Sequence, residues 1–488
     1  MEYSHRVRTL TLFATALGSA LAFLDTTVVI VALPRMDEDM GLGLSGQQWV
    51  YLAYALALSA FYLVGGAIGD RVGLRRTFIV GVVLFAAASL LTAVAPSEGV
   101  LIGGRALQGV GGAVLTTTSL ALLRVTWAGD AGRAIGLWTS LTSIATVGGP
   151  PLGGLIVQTV SWRWIFLINV PLAIVTIALA VAGRGENERA QGRSTLDLVG
   201  SALVAVGLAG ITYALVEVRE RGLQAVLPLF VGGVLALAAL GVWTLRARNP
   251  LVPPALLRLP GLGAANLVTL VMYAALGAHL LFLPVYLQFL GFGPTLAGVV
   301  FVPPSLGMIL LAPRFGRYAD RNGPRLPIAA GAATIGASAL LLLPVSTRAE
   351  AWTWGVASIV VFSLGLPAVV APITAAALSP APAGLAGVAA GLNQTIARVG
   401  GILSVAAIGA LAGALFIRQG GTGATPFDPE ASGTVRDAGV SAFHAVALSV
   451  AALAFAAAAL AAVFLRGSLQ SSTPSSRSSV SLRSSPPP

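Results

Sequence analysis

The sequence predicts an all-α polytopic membrane protein of fourteen transmembrane helices, two six-helix bundles with two further helices inserted between them. Three observations lead there. The 488 residues are 56% hydrophobic and 10% charged, with a mean hydropathy of +0.88, whereas a soluble domain carries about 25% charge. The chain is punctuated into apolar runs of about the 20 residues that a bilayer core demands. One loop pattern then occurs twice, 250 residues apart.

The runs, in order, are 9–33, 47–69, 77–95, 99–123, 133–158, 163–182, 196–216, 226–246, 265–290, 295–314, 325–344, 353–376, 384–415 and 440–465. The first contains Asp25 and is too long for a signal-peptide core, so it is expected to be retained. The run 353–376 has the poorest helical pattern, because Pro367 and Pro372 interrupt it. Residues 1–183 form the first bundle, 184–250 hold the inserted pair, and 251–466 form the second bundle. The Ser/Pro-rich tail 467–488 cannot bury a core and is expected to be disordered.

All 29 basic residues are arginine and there is no cysteine. Without lysine there is no P-loop and no Schiff base, so ATP does not drive this chain by itself. Without cysteine there are no disulfides and no thiolate chemistry. The net charge of +11 invites a nucleic-acid reading, but its distribution explains it differently. With the N-terminus inside, 20 arginines fall in cytosolic segments, 7 in outer ones, and two, Arg105 and Arg398, inside helices. That is the positive-inside pattern, and it places both termini in the cytoplasm. No nucleic-acid partner is expected.

The repeated loop reads Gly66-x-x-x-Asp70-Arg71-x-Gly73-x-Arg75 after the second run and Gly316-x-x-x-Asp320-Arg321-x-Gly323-x-Arg325 after the tenth. The tenth run is the second of the last six. Duplicated halves of this kind build alternating-access transporters, with the substrate held near the midplane between them. The glycines permit a tight turn. The charged residues, with Arg76 beside them, form a candidate gating latch on the cytosolic side.

Four ionisable residues lie well within the runs: Asp25, Arg105, His279 and Arg398. Each costs about 2.5–3.5 kcal/mol at the centre of a helix unless it finds an interior partner. At 1.5 Å per residue, Asp25 lies ~12 Å below the outer end of its run and Arg105 ~9 Å below the start of its own. Similar depth permits a pair or a shared water cavity, and makes Asp25 the candidate proton or cation site with Arg105 as its modulator. Pocket-lining candidates are Tyr54, Phe61, Gln108, Tyr273, His279, Tyr286, Gln288, Asn393 and Arg398. A mostly apolar pocket with few charges fits an amphiphilic ligand.

At the duplicated loop the chain resembles the major facilitator superfamily, and further segments are similar to its fourteen-helix drug:proton antiporter branch. Leu24-Asp25-Thr26-Thr27 through Pro34 resembles the first-helix motif, with Ile30 where the branch carries asparagine. Arg105-Ala106-Leu107-Gln108-Gly109 resembles the fourth-helix motif. Gly136 and Gly149-Pro150-Pro151-Leu152-Gly153-Gly154 resemble the antiporter motif of helix five, with Ala145 for its middle glycine. Trp162 through Pro171 and Leu283-Pro284-Val285-Tyr286-Leu287-Gln288 also fit. The resemblance implies a monomeric exporter of lipophilic small molecules (drugs or antibiotics) in the bacterial inner membrane. It would exchange its cargo for protons and need no cofactor beyond the proton gradient. It also implies that the helix-five glycines and Pro150 hinge or seal the pathway. An importer or uniporter of the same fold is the alternative. A membrane enzyme lacks support: there is no His-x4-Asp pair, no His-Glu-x-x-His and only three histidines. A receptor would need a soluble signalling domain, and none is visible.

Overall fold

The computed structural model of the chain describes residues 4–127, 131–183, 197–247, 250, 254–259, 261–378, 386–423 and 425–465. Among these there is helix and no strand. The start of the expected inserted segment, 184–196, and the expected tail 467–488 lie outside the described residues.

The first bundle contains α1 (His5–Met40), α2 (Gly43–Val72), α3 (Leu74–Ala93), α4 (Glu98–Thr126), α5 (Ala131–Thr159), the single turn α6 (Trp164–Leu167) and α7 (Asn169–Ala182). Then come α8 (Leu198–Arg221) and α9 (Leu223–Arg246). The second bundle follows a short α10 (Pro254–Leu257). It contains α11 (Leu262–Phe289), α12 (Pro294–Val299), α13 (Val302–Asn322), α14 (Arg325–Leu340) and the turn α15 (Arg348–Glu350). A π-helical turn, Ala351–Gly355, leads into α16 (Val356–Leu378), and α17 (Ala386–Arg418) and α18 (Gly433–Phe464) close the chain. Eleven of these helical stretches are long and apolar enough to cross a membrane. The remaining predicted runs fall on α2, α5 and α14.

Two apolar runs are broken where one helix was expected. The run 163–182 divides into α6 and α7 at Ile168, just ahead of Asn169 and Pro171. The run beginning at 295 divides into α12 and α13 ahead of Pro303 and Pro304, whose missing N–H groups favour the first turn of a new helix. The run 353–376 stays helical through Pro367 and Pro372.

The packing repeats between bundles. In the first, α1 packs on α5 and α7, α4 on α2 and α3, and α3 on α7. In the second, α11 packs on α17 and α18, α16 on α13 and α14, and α14 on α18. The duplicated loops make matching one- and two-residue turns. Gly73 and Gly323 carry φ of +114° and +89°, a left-handed backbone that favours glycine. Arg75 departs from its expected place in the latch. It is buried, and it donates to the Ala180 carbonyl at 2.6 Å and to Thr11 Oγ1 at 2.8 Å. It therefore ties α3 to α7 and α1 inside one bundle, because its position at the start of α3 points it into the core.

Candidate functional site

α1 and α4 run against each other, and their facing positions carry the two central charges. Arg105 Nη1 donates to Asp25 Oδ2 at 2.5 Å, and both side chains are shut from solvent, at 0% and 1% exposure. The expected pair at equal depth is therefore present. Of the two arrangements that depth allowed, the structure has the direct pair. A group this deeply buried needs several partners, and the neighbouring helices supply them. Arg105 Nε donates to the Val50 carbonyl of α2 at 2.9 Å, and Nη1 also reaches Gln108 Oε1 at 2.8 Å. The Arg105 guanidinium lies 4.5 Å from the centre of the Tyr54 ring and 5.7 Å from that of Phe166. Such faces stabilise a desolvated cation. Gln108 Nε2 donates to Asp25 Oδ1 at 3.3 Å and to Ser89 Oγ at 2.7 Å, and Asn169 Nδ2 reaches Ser89 Oγ at 3.4 Å.

Ser89 and Asn169 were not singled out by sequence reasoning. Asn169 is the one amide within the run 163–182, and that isolation was the available signal. Among the described residues, Arg105 Nη2 and Asn169 Oδ1 are buried without a protein hydrogen-bond partner.

The helix-five glycines occupy the next layer. A Cβ on Gly153 would overlap Val28 of α1, one turn from Asp25, and Gly149 lies against Leu24 and Thr27. A Cβ on Gly154 would overlap the Pro294 carbonyl of α12, and one on Gly298 the Pro150 carbonyl of α5. Bare backbone thus lets α5 touch α1 on one side and the opposite bundle on the other. The Asp70 side chain and the surroundings of Gly66 and Gly136 lie outside what is described, while Arg71, Arg76, Asp320 and Arg321 are exposed.

The two bundles meet at the end opposite the Gly73 and Gly323 turns. Among the described residues, three hydrogen bonds cross this seam. Gln48 Nε2 donates to the Val405 carbonyl at 2.6 Å, Gln288 Nε2 to the Val31 carbonyl at 3.1 Å, and Thr295 Oγ1 to Gln158 Oε1 at 2.7 Å.

Several residues expected to line a pocket are buried and spend their polar groups on protein. Tyr54 donates to the Ala22 carbonyl at 3.0 Å, and Gln108 belongs to the Asp25 network. Gln288 is a seam residue. Tyr286 donates to the Val345 carbonyl at 2.6 Å and stacks on Phe443. Asn393 donates to Asn266 Oδ1 at 3.0 Å and to Thr269 Oγ1 at 2.8 Å. His279 is buried and stacks on Phe362 at 4.4 Å, beside a small notch lined by Leu283, Pro284, Phe301 and Pro304. Of the other candidates, Phe61 is exposed, while Tyr273 and Arg398 are half-buried, Arg398 lying over the Tyr62 ring at 5.2 Å.

Two matched bundles of membrane-length helices, with a buried ion pair in one and a glycine-lined seam between them, define a multi-pass membrane transporter. The family profile of the Major Facilitator Superfamily matches residues 15–405, and the chain belongs to that superfamily. It is 35% identical over 409 residues to the tetracenomycin C resistance and export protein of Streptomyces glaucescens, covering 82% of this chain and 75% of that one. It is 33% identical over 416 residues to the multidrug resistance protein Stp of Mycobacterium tuberculosis, covering 83% and 76%. The puromycin resistance protein pur8 of Streptomyces alboniger is 35% identical over 394 residues, covering 79% and 78%. Among solved structures, a bacterial homologue of the human lysosomal transporter Spinster, inward-facing and unoccupied, shares the fold. Its TM-score is 0.65 at 14% identity, over 94% of this chain and 97% of that one.

Proposed function

We propose that the chain exports lipophilic small molecules, drugs or antibiotics, in exchange for protons by alternating access. The observation that carries this reading is the buried Asp25–Arg105 pair, one turn along α1 from Val28, which packs against Gly153 of the helix-five motif. The export and resistance names of relatives at about a third identity support the cargo class. The arginine asymmetry supports an orientation with both termini in the cytosol. In that orientation the sealed seam faces outward and the substrate enters from the cytosolic side of a bacterial inner membrane.

The coupling follows from charge. While Asp25 is ionised, it holds Arg105 and so holds α1 to α4. Protonation removes the attraction, leaving Arg105 with Gln108, the Val50 carbonyl and the Tyr54 ring. α1 is then freer to shift, and Val28 moves with it against Gly153. Because Gly154 and Gly298 bring α5 and α12 into backbone contact, that shift reaches the seam. Both side chains are shut from solvent in this state, so the proton's route to Asp25 belongs to the opened state.

Inside-out vesicles with no imposed gradient test the direction of coupling. With puromycin or tetracenomycin C added outside, an antiporter makes the lumen more alkaline. A symporting importer run backward acidifies it. A uniporter leaves luminal pH unchanged, and either of the last two results refutes the reading.

A further inference from the structure

The inserted pair α8–α9 is not a spacer beside the bundles. α8 packs on α2 of the first bundle and on α17 of the second, while α9 packs on α8. The α2–α17 line is one side of the seam, where Gln48 of α2 donates to the Val405 carbonyl of α17. At the same end, the last turn of α8 is bonded across that line. Glu217 Oε1 accepts from Trp49 Nε1 of α2 at 2.8 Å, and Glu220 Oε1 accepts from Ser45 Oγ of α2. Between these two acids, Arg219 Nη2 donates to the Gly423 carbonyl, in the loop that follows α17, at 2.9 Å. The stem of Arg219 rests against Gly413 of α17, where a Cβ would come to 3.3 Å.

The sequence explains the division. Positions 217 and 220 fall nearly one turn apart on one face, and 219 is turned away from both. Glu217 is further fixed by Arg221 Nε at 2.9 Å, four residues on, and Trp49 packs on Tyr213 at 5.9 Å between ring centres. The first bundle therefore holds α8 through two carboxylates, and the second through one guanidinium.

We infer that α8 is a strap across the outer seam: Glu217 and Glu220 anchor it to α2, and Arg219 is its clasp on the α17 side. The strap stabilises the outward-closed state, and outward opening has to release it. These three are positioning residues that act on the gate and not on cargo or proton. The inference rests on the alternating-access reading only in requiring that this seam opens.

The natural absence of cysteine makes the test direct. Spin labels placed through Ser97→Cys and Ala349→Cys, both exposed at the outer ends of opposite bundles, report the seam by double electron–electron resonance in nanodiscs. No substrate and no gradient are needed, so failure of the exporter reading leaves this measurement intact. Losing one hydrogen bond of net worth about 1 kcal/mol changes an equilibrium about fivefold. Arg219→Ala and Glu217→Ala are each expected to raise the ratio of long to short distances by about that factor. Glu217→Gln, whose amide oxygen still accepts from Trp49, is expected to leave the distribution in place. If Arg219→Ala alone shifts it, the clasp stands and the anchor is wrong. If both alanine variants superimpose on the unaltered protein, the strap is refuted.

Discussion

Arg105 is a cation that has exchanged water for one carboxylate, one amide oxygen, one backbone carbonyl and two aromatic faces. Removing one partner of such a pair leaves the other buried and uncompensated, a loss of about 3–5 kcal/mol. Arg105→Ala is therefore expected to lower the thermal midpoint of the purified protein sharply, and Asp25→Asn to lower it less, because asparagine can still accept from Arg105. Equal midpoints for Arg105→Ala and the unaltered protein would show that the pair contributes nothing to stability. At this scale the charges were legible in the sequence. Ionised groups are rare in lipid, and counting rise per residue put Asp25 and Arg105 at one depth. The uncharged members were harder to read. Ser89, Gln108 and Asn169 resemble the many polar residues that membrane helices tolerate, and only packing shows that they share a node. For the same reason Tyr54, Gln108, Tyr286, Gln288 and Asn393 pointed to a pocket, whereas here their polar groups bond to protein: an aromatic or amide in a span serves packing as readily as binding.

At the scale of elements, α5 is the member whose surface is set by missing atoms. Its glycines bring backbone against α1 and against α12, so a side chain at Gly154 cannot be absorbed by a rotamer change; the obstacle is the Pro294 carbonyl. Gly154→Val is expected to cost about 1–3 kcal/mol of overpacking, felt where the seam is closed. The same labelled pair should show a population shifted outward, with transport reduced and folding retained. An unchanged distribution would mean that α5 and α12 do not need this contact. The order Gly-Pro-x-x-Gly-Gly announced close approach in the sequence, but not which neighbour each glycine meets. The repeated loops were legible down to their positive-φ turns at Gly73 and Gly323. Arg75 was misread there, because a pattern of charges in a loop does not reveal that its last member begins the next helix and turns inward to Ala180 and Thr11. The breaks ahead of Asn169 and at Val300–Phe301 were also missed, since hydropathy runs straight through them.

At the scale of the whole molecule, composition and the duplicated loop were enough to foresee two matched bundles, and the packing pairs repeat accordingly. The place of α8 across the α2–α17 line was not foreseeable, because an insertion between halves has no symmetry mate to show where it docks. The proposed coupling path runs from the buried Asp25 in α1, through Val28 and Gly153, to a seam closed by Gly154, Gln48 and Gln288. Its central claim is that the charge state of Asp25 is exchanged against cargo. The most direct measurement compares two modes of one reconstituted protein carrying Asp25→Asn. Uphill movement of the probe cargo driven by an imposed pH gradient should vanish, while labelled-for-unlabelled exchange of that probe, which needs no proton, should persist. Uphill movement at the unaltered rate in Asp25→Asn would contradict the account.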